Sequence, residues 1–270
     1  VEPSENVIFL ISGGGSALVC APPEGISLDE KLALHKFLLR SGASIEEMNT
    51  VRKHVSVIKG GRLAAASKGK NTSLVISDVV GDDPAFIASG LTVQDTTKPE
   101  DALVILNKYG FSDTSCIRNY LNQALPLPKV SGEYKLVANA QSAIDAAVEK
   151  AKAAGWDTEI ISYTERGEAQ TVAKRHAEIA LEYKKRGKPV LLFSGGELTV
   201  TLGDSQGEGG PNQEYLMALA RALNGEIGIS ALAADTDGVD GSKDVAGAYI
   251  DENTLAMALQ ENLDIDELLN

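Results

Sequence analysis

The sequence predicts an α/β fold with a mainly parallel sheet, divided into two domains. Three observations lead there. Short runs of Val, Ile and Leu recur without polar alternation, the pattern of strands buried on both faces of a parallel sheet. Several of these runs pass at once into loops of small polar or aspartate residues, and helical patterns fill the intervals between them. Near mid-chain the segment Gln123 to Gly132, with Pro126 and Pro128, has the composition of a linker.

In chain order, the first strand is Val7 to Ile11, followed by the loop Ser12-Gly13-Gly14-Gly15-Ser16. Capping boxes at Ser27 to Glu30, Ser44 to Glu47 and Thr97 to Glu100 start helices, because hydroxyl and carboxylate satisfy free backbone donors reciprocally. Leu74 to Ile76 is a strand leading into Ser77-Asp78, with Gly81, Asp82 and Asp83 close behind. Lys135 to Ala138 and Thr158 to Ile161 add strands. Ala140, Ala143, Ile144, Ala147, Val148 and Ala151 repeat at helical spacing before Gly155, and Val172, Ala173, Ile179 and Ala180 do so before Gly187. Val190 to Phe193 is a strand expected to open into the loop Ser194-Gly195-Gly196-Glu197. An apolar helix covers Tyr215 to Leu223, and Ile229 to Ala234 is a last strand, ending in Asp235-Thr236-Asp237-Gly238.

Composition narrows the function classes. The chain has 270 residues, 43% hydrophobic and 23% charged, which is ordinary for a globular protein. A formal charge of -13 makes nonspecific attraction to nucleic acid or anionic membrane unfavourable. No apolar run approaches the roughly 20 residues of a membrane-spanning helix, and Val1 to Phe9 has no basic signal-peptide start. A cytoplasmic protein with a small-molecule partner is expected, a homodimer being left open. Cys20 and Cys116 lack metal spacing and read as free thiols. The start without Met and the acidic, helix-like end read as an excised piece.

The loops carry the chemistry. Leu18 stands where GxGxxG needs its last glycine, and no GxxxxGK[ST] occurs, so neither a dinucleotide fingerprint nor a Walker loop is present. What remains in Ser12 to Ser16 is a row of backbone N–H groups that an anion can approach closely. Met48 to Ser77 contains no acidic residue but holds Arg52, Lys53, Lys59, Arg62, Lys68 and Lys70. Arg52, Ser56 and Lys59 are spaced to share one helix face, where a carboxylate or phosphate finds donors. Asp78, Asp82 and Asp83 at a strand end suit Mg²⁺ or a general base. Gly207-Glu208-Gly209-Gly210 ahead of Pro211 and Asn212 opens a helix whose N-terminus invites phosphate. Asp235, Asp237 and Asp240 resemble half an EF-hand, but Ala246 replaces its glutamate, which argues against calcium.

Taken together, Ser12 to Leu18, Asn49-Thr50-Val51-Arg52-Lys53-His54, Lys59-Gly60-Gly61-Arg62, Ser77-Asp78-Val79, Ala88-Ser89-Gly90, Ser194 to Thr199 and Thr236-Asp237-Gly238 resemble the class II glycerate kinases, the family with a C-terminal MOFRL domain. The resemblance implies a Rossmann-like N-terminal domain (1–128), a MOFRL-type α/β domain (129–270), and phosphorylation of D-glycerate by ATP with Mg²⁺, giving 2-phosphoglycerate in many members. On it, Ser12, Gly13, Gly14, Gly15, Ser16, Arg52 and Ser56 bind substrate, while Asp78, Lys59 and Arg52 are catalytic. Asp78 and Asp82 hold the metal, and Ser194, Gly195, Gly196, Glu197, Gly209, Gly210, Asn212 and Asp237 hold the nucleotide. The family has Pro where Leu91 stands and Arg where Pro211 stands, so the second loop keeps its backbone donors without a cationic clamp. Members also carry an N-terminal Gly-Lys segment that serves the active site; none precedes Val1, which implies a chain able to bind ligand without turnover. NAD(P)-dependent reduction of hydroxypyruvate and a non-enzymatic anion-binding fragment are the alternatives.

Overall fold

The computed structural model describes residues 5–79, 81–112, 115–201, 208–241 and 244–269. The chain divides into two compact units, Val1–Asn139 and Ala140–Asn270. Unit 1 contains β1 (Asn6–Ile11), α1 (Gly15–Leu18), α2 (Leu28–Arg40), α3 (Ile45–His54), α4 (Arg62–Ala65), β2 (Lys70–Ile76), a 3₁₀ turn (Ile87–Ser89), α5 (Pro99–Lys108), α6 (Ser115–Gln123) and β3 (Glu133–Ala138). Its sheet is parallel in the order β1-β2-β3. Because β3 pairs with β2 from Thr72↔Glu133 onward, it belongs to the first unit. The division therefore falls after Asn139 rather than at 128/129, and the Pro126–Pro128 stretch is the crossover from α6 into β3.

The expected strands are present and mostly longer, but β1 is not buried on both faces. Ile8 and Leu10 are 62% and 79% exposed, and Ile76 and Val137 share that exposure. Only the other face is covered: Val75 is wholly enclosed, Asn71 Nδ2 donates to the Ala64 carbonyl, and the Ser73 hydroxyl donates to Thr92. An apolar run without alternation shows that both faces are greasy, not that both are covered.

Beside the sheet, α2, α3, α5 and α6 bury Leu34, Leu38, Val51, Leu106, Ile117 and Leu121 in one cluster. Each such side chain stabilises the unit by about 1.5–3 kcal/mol relative to exposure. Two of the expected capping boxes form, Ser27 with Glu30 and Ser44 with Glu47. The third shifts by one residue: Asp101 accepts the Lys98 backbone N–H at 2.8 Å, and α5 starts at Pro99. Proline disfavours helical geometry in the residue before it, so the cap lands on Lys98.

Unit 2 contains α7 (Ala140–Ala153), β4 (Asp157–Glu168), α8 (Ala169–Lys185), β5 (Val190–Thr199), α9 (Pro211–Leu223), β6 (Ala231–Ala234), β7 (Gly247–Ile250), α10 (Thr254–Gln260) and α11 (Ile265–Leu268). β4 and β5 are parallel, whereas β6 pairs antiparallel with β7, a pairing the sequence pattern did not indicate. Apolar side chains of α8 and α9, among them Ala173, Ala177, Leu216 and Leu219, pack in a cluster with Ile250 of β7.

The long β4–β5 ladder requires glycine at one point. Gly196 sits opposite Glu165 at φ 153°, and a Cβ there would stand 2.0 Å from the Glu165 carbonyl oxygen. Gly196→Ala is therefore expected to destabilise unit 2 by about 3 kcal/mol or more, whereas Gly187→Ala, with open space around it, should cost only about 1 kcal/mol. Urea unfolding followed through Trp156, the sole tryptophan, measures the difference, and equal midpoints would refute it.

Candidate functional site

Three chain segments meet at the C-terminal end of the unit 1 sheet, where ligands of parallel α/β sheets bind. The first is the glycine loop after β1. Its Gly14 N–H donates to Asp78 Oδ2 at 3.2 Å, and a Cβ on Gly13 would stand 2.5 Å from that oxygen. Glycine thus lets the loop lie directly on the second segment, the end of β2 with its Asp78 carboxylate. Ser12 is exposed at the strand end, and Gly15 packs against Ala88.

The third segment is the turn Ala88-Ser89-Gly90, which is left-handed throughout, with φ of 50°, 57° and 62°. Two consecutive non-glycine residues in that region store strain of about 1–3 kcal/mol each. The surroundings hold them: Gly60 N–H donates to the Ser89 carbonyl at 3.2 Å and Gly61 N–H to that of Gly90 at 2.7 Å. The result is a Ser89 hydroxyl that is wholly buried, donates to Asn49 Oδ1 at 2.9 Å and bonds the Ser16 hydroxyl.

The basic stretch is resolved into distinct tasks. Lys53 forms a buried ion pair with Asp95, and Arg62 Nη1 donates to the Lys53 carbonyl at 2.7 Å. Lys59, only 2% exposed, donates from Nζ to the Ser16 carbonyl at 2.7 Å. Burial, followed by the charges of Lys31 and Arg52, pushes its pKa down to about 8. Arg52 Nη2 donates to His35 Nε2 at 2.7 Å, which fixes that ring nitrogen as an acceptor. Burial and then the Arg52, Lys59 and Lys31 charges lower the His35 pKa.

Two donors in this cluster, Lys31 Nζ and Arg52 Nε, are buried without a hydrogen-bond partner. Burial lowers the Lys31 pKa; the charge and hydrogen-bonding influence of the nearby Cys20 sulfur oppose this, although the sulfur does not meet hydrogen-bond geometry with Nζ. Among the described residues, none of Lys31, Arg52 and Lys59 forms an ion pair with a carboxylate. A concentration of positive charge without an internal anion is a place for an external one.

The shared helix face expected for Arg52, Ser56 and Lys59 does not form. Helix α3 ends at His54, and the Ser56 hydroxyl accepts from the Ile58 and Lys59 N–H groups, both at 3.3 Å, turning the chain. Ser56 is wholly enclosed and so organises the loop from within. Asp78 is exposed, whereas Asp82, at φ 54°, accepts from Asn139 Nδ2 at 2.6 Å. Lys31 escaped the sequence reading, and His35, inside a helical pattern, reads there as a packing or surface residue rather than part of a site. The signal was present, since Lys31 falls on the apolar stripe of α2 with Leu34 and Leu38.

Unit 2 departs further from expectation. Ser194, Gly195, Gly196 and Glu197 lie inside β5 rather than in a loop beyond it, with Ser162↔Ser194 and Arg166↔Glu197 in register. Bulges in β4 let the pairing continue, and Gly195 backs onto Ile144 of α7. The N-terminus of α9 already holds an anion. Asp240, wholly buried against Gly210, accepts from the Asn212 N–H at 3.0 Å and the Gln213 N–H at 2.9 Å, and from both side-chain amides. Asp237 accepts the Val239 N–H at 3.1 Å within its own turn. Gly207 lies outside the described residues; Gly209 precedes the Asp240-bound turn.

Burial alone would raise the Asp240 pKa, but the Gln213 and Asn212 donors outweigh it and hold the carboxyl below its ordinary value. The stability it contributes is present above the unfolded carboxylate pKa and is lost as pH falls through the folded value. Asp240→Asn should cost about 2–3 kcal/mol near neutrality and flatten the acid limb of the stability profile. An acid limb identical to the parent's would refute this. Lys31→Met should leave the unfolding midpoint equal or higher, since an unpaired ammonium is removed, yet weaken sulfate binding by about tenfold; calorimetry reads both, and unaltered sulfate affinity would exclude Lys31 from the site.

Residues 1–122 match a family model described as "Domain of unknown function (DUF4147)", and 190–270 match the MOFRL family. Two Agrobacterium vitis proteins bearing the provisional name hydroxypyruvate reductase are 45% and 44% identical over 97% of this chain, covering 62% and 70% of their own lengths. A D-glycerate 2-kinase of Thermotoga maritima is 42% identical over 94% of this chain and 62% of its own. The crystal structure of a T. maritima glycerate kinase matches with a TM-score of 0.82 and 40% identity, over 98% of this chain and 65% of that one. The chain thus spans less than two thirds of several of the relatives it resembles.

Proposed function

The chain belongs to the glycerate kinase family that carries the DUF4147 and MOFRL regions, and from that premise we propose that it acts in ATP-dependent phosphorylation of D-glycerate to 2-phosphoglycerate. The observation that carries the reading is a single loop, residues 12–16, that touches both Asp78 and Lys59. It joins a carboxylate suited to a hydroxyl with a cationic cluster suited to a carboxylate.

Phosphoryl transfer asks a protein mainly for positioning and electrostatic stabilisation. Arg52, whose Nε lacks a partner, orients the glycerate carboxylate, and Lys59 holds the Ser12–Ser16 loop against it while adding charge. Asp78 aligns the acceptor hydroxyl and takes its proton at a carboxylate oxygen. Among the described residues no group of three or more His, Cys, Asp and Glu is placed to hold a metal. Asp78 nevertheless fits Mg²⁺, which keeps several waters and needs only one or two carboxylates beside phosphate oxygens. When bound, Mg²⁺ would neutralise phosphoryl charge; Asp82, engaged by Asn139, is the weaker ligand of the pair.

The names of the A. vitis relatives favour a second reading, reduction of hydroxypyruvate with NAD(P)H. Leu18 in place of the fingerprint glycine weighs against it. A coupled ADP-release assay on the intact gene product, with and without D-glycerate and run beside NADH oxidation with hydroxypyruvate, separates the two. Glycerate-dependent ADP and no NADH loss are expected, and the reverse would sink the kinase reading. Arg52→Ala should raise KM for D-glycerate by about 10–100-fold, the equivalent of one charge-assisted hydrogen bond; an unchanged KM removes Arg52 from the site.

A further inference from the structure

Unit 2 has a groove of about 380 Å³ at the N-terminal ends of β4 and β5. Ligands of parallel sheets bind at the opposite, C-terminal ends of strands, so within unit 2 this groove lies at the other end of the β4–β5 ladder from that position. Its lining includes Asp157 and Glu159 of β4. It is also lined by Lys152 from the last turn of α7 with Trp156 beyond that helix, and by Tyr183 from the end of α8 with Arg186 and Lys188 beyond it. All but Val190 of the lining lies between residues 122 and 190, the stretch that neither family model covers.

Cations near helix C-termini complement the helix dipole, and that accounts for Lys152 in the last turn of α7. It does not account for the rest. Lys188 lies beyond α8, and among the described residues neither it nor Lys152 forms an ion pair. Trp156 remains 47% exposed, a large indole left in water beside those ammonium groups. The Arg186 guanidinium lies 4.0 Å over the Tyr183 ring and bonds Glu182 at 2.9 Å, which holds it flat and in place.

We propose that this groove is a second ligand site of the protein and takes a nucleoside phosphate. The three parts of such a ligand match the three kinds of lining group. An exposed indole stacks a planar base, carboxylates accept from ribose hydroxyls, and Lys152, Lys188 and Arg186 meet the phosphate. Neither a free anion nor an uncharged ring would use all three. Occupancy here would act on unit 2 from the face away from the strand C-termini, as an effector does.

The test uses the whole chain and reads Trp156, the sole tryptophan, by emission, with calorimetry alongside. Titration with AMP is expected to change the emission saturably and to release or absorb heat with the same midpoint. Lys152→Met combined with Lys188→Met should weaken AMP binding at least tenfold, with adenosine and inorganic phosphate each binding more weakly than AMP to the parent. An emission change with phosphate alone matching that with AMP would overturn the nucleoside assignment, as would adenosine binding as tightly as AMP. AMP binding that the double variant leaves intact, or no AMP binding by either readout, would overturn the site itself.

Discussion

Lys59 carries its ammonium into the interior of unit 1 with no carboxylate among the described residues to meet it, and the bond it makes to the Ser16 carbonyl organises everything around it. Through that carbonyl the glycine loop is fixed; through the loop, Asp78 is held under Gly14 and Ser16 is held against Ser89. The left-handed turn at Ala88-Ser89-Gly90 is secured in turn by the backbone N–H groups of the two glycines that follow Lys59. Charge left unneutralised in this way is destabilising in isolation. It becomes affinity when an anion arrives, which is why the same arrangement reads as a binding site and as a strained piece of fold.

Unit 2 solves the inverse problem. Its α9 N-terminus presents donors that could face outward, and the chain supplies its own anion to them from Asp240. Asn212 links this carboxylate to Asp235, whose pKa is raised by burial and then by its Asp240 and Asp237 neighbours. The two places therefore differ: at α9 the chain supplies the anion itself, whereas Lys31, Arg52 and Lys59 of unit 1 form no ion pair among the described residues. Packing gives the glycines of β5 a reason to be small, since a Cβ on Gly195 would meet Ile144 and one on Gly196 the β4 backbone.

Most strands and helices were legible because they follow from local chemistry: apolar runs, capping boxes at Ser27 and Ser44, and the helical spacing of Ala140 to Ala151. The loop after β1 and its partner Asp78 were legible too, since small residues and carboxylates at strand ends have few other uses. What stayed hidden depends on distance in sequence. Nothing local tells that His35 will receive Arg52, or that Asp240 will reach Asn212. The extension of β5 through Ser194-Gly195-Gly196-Glu197 was hidden for the same reason, because only the bulged partner strand allows it. The end of α3 at His54 was readable in principle: a serine between Val55 and Val57 competes for backbone donors.

The uncovered side of β1-β2-β3 sets the colloidal behaviour of the chain. Ile8, Leu10, Ile76 and Val137 form a water-facing patch on a molecule of charge -13. At low ionic strength long-range repulsion keeps such patches apart, but at about 0.15 M salt the screening length falls to about 8 Å, shorter than the molecule itself. Attraction between patches then acts at contact with little left to oppose it. Raising the ionic strength is therefore expected to shift this chain toward association through that face.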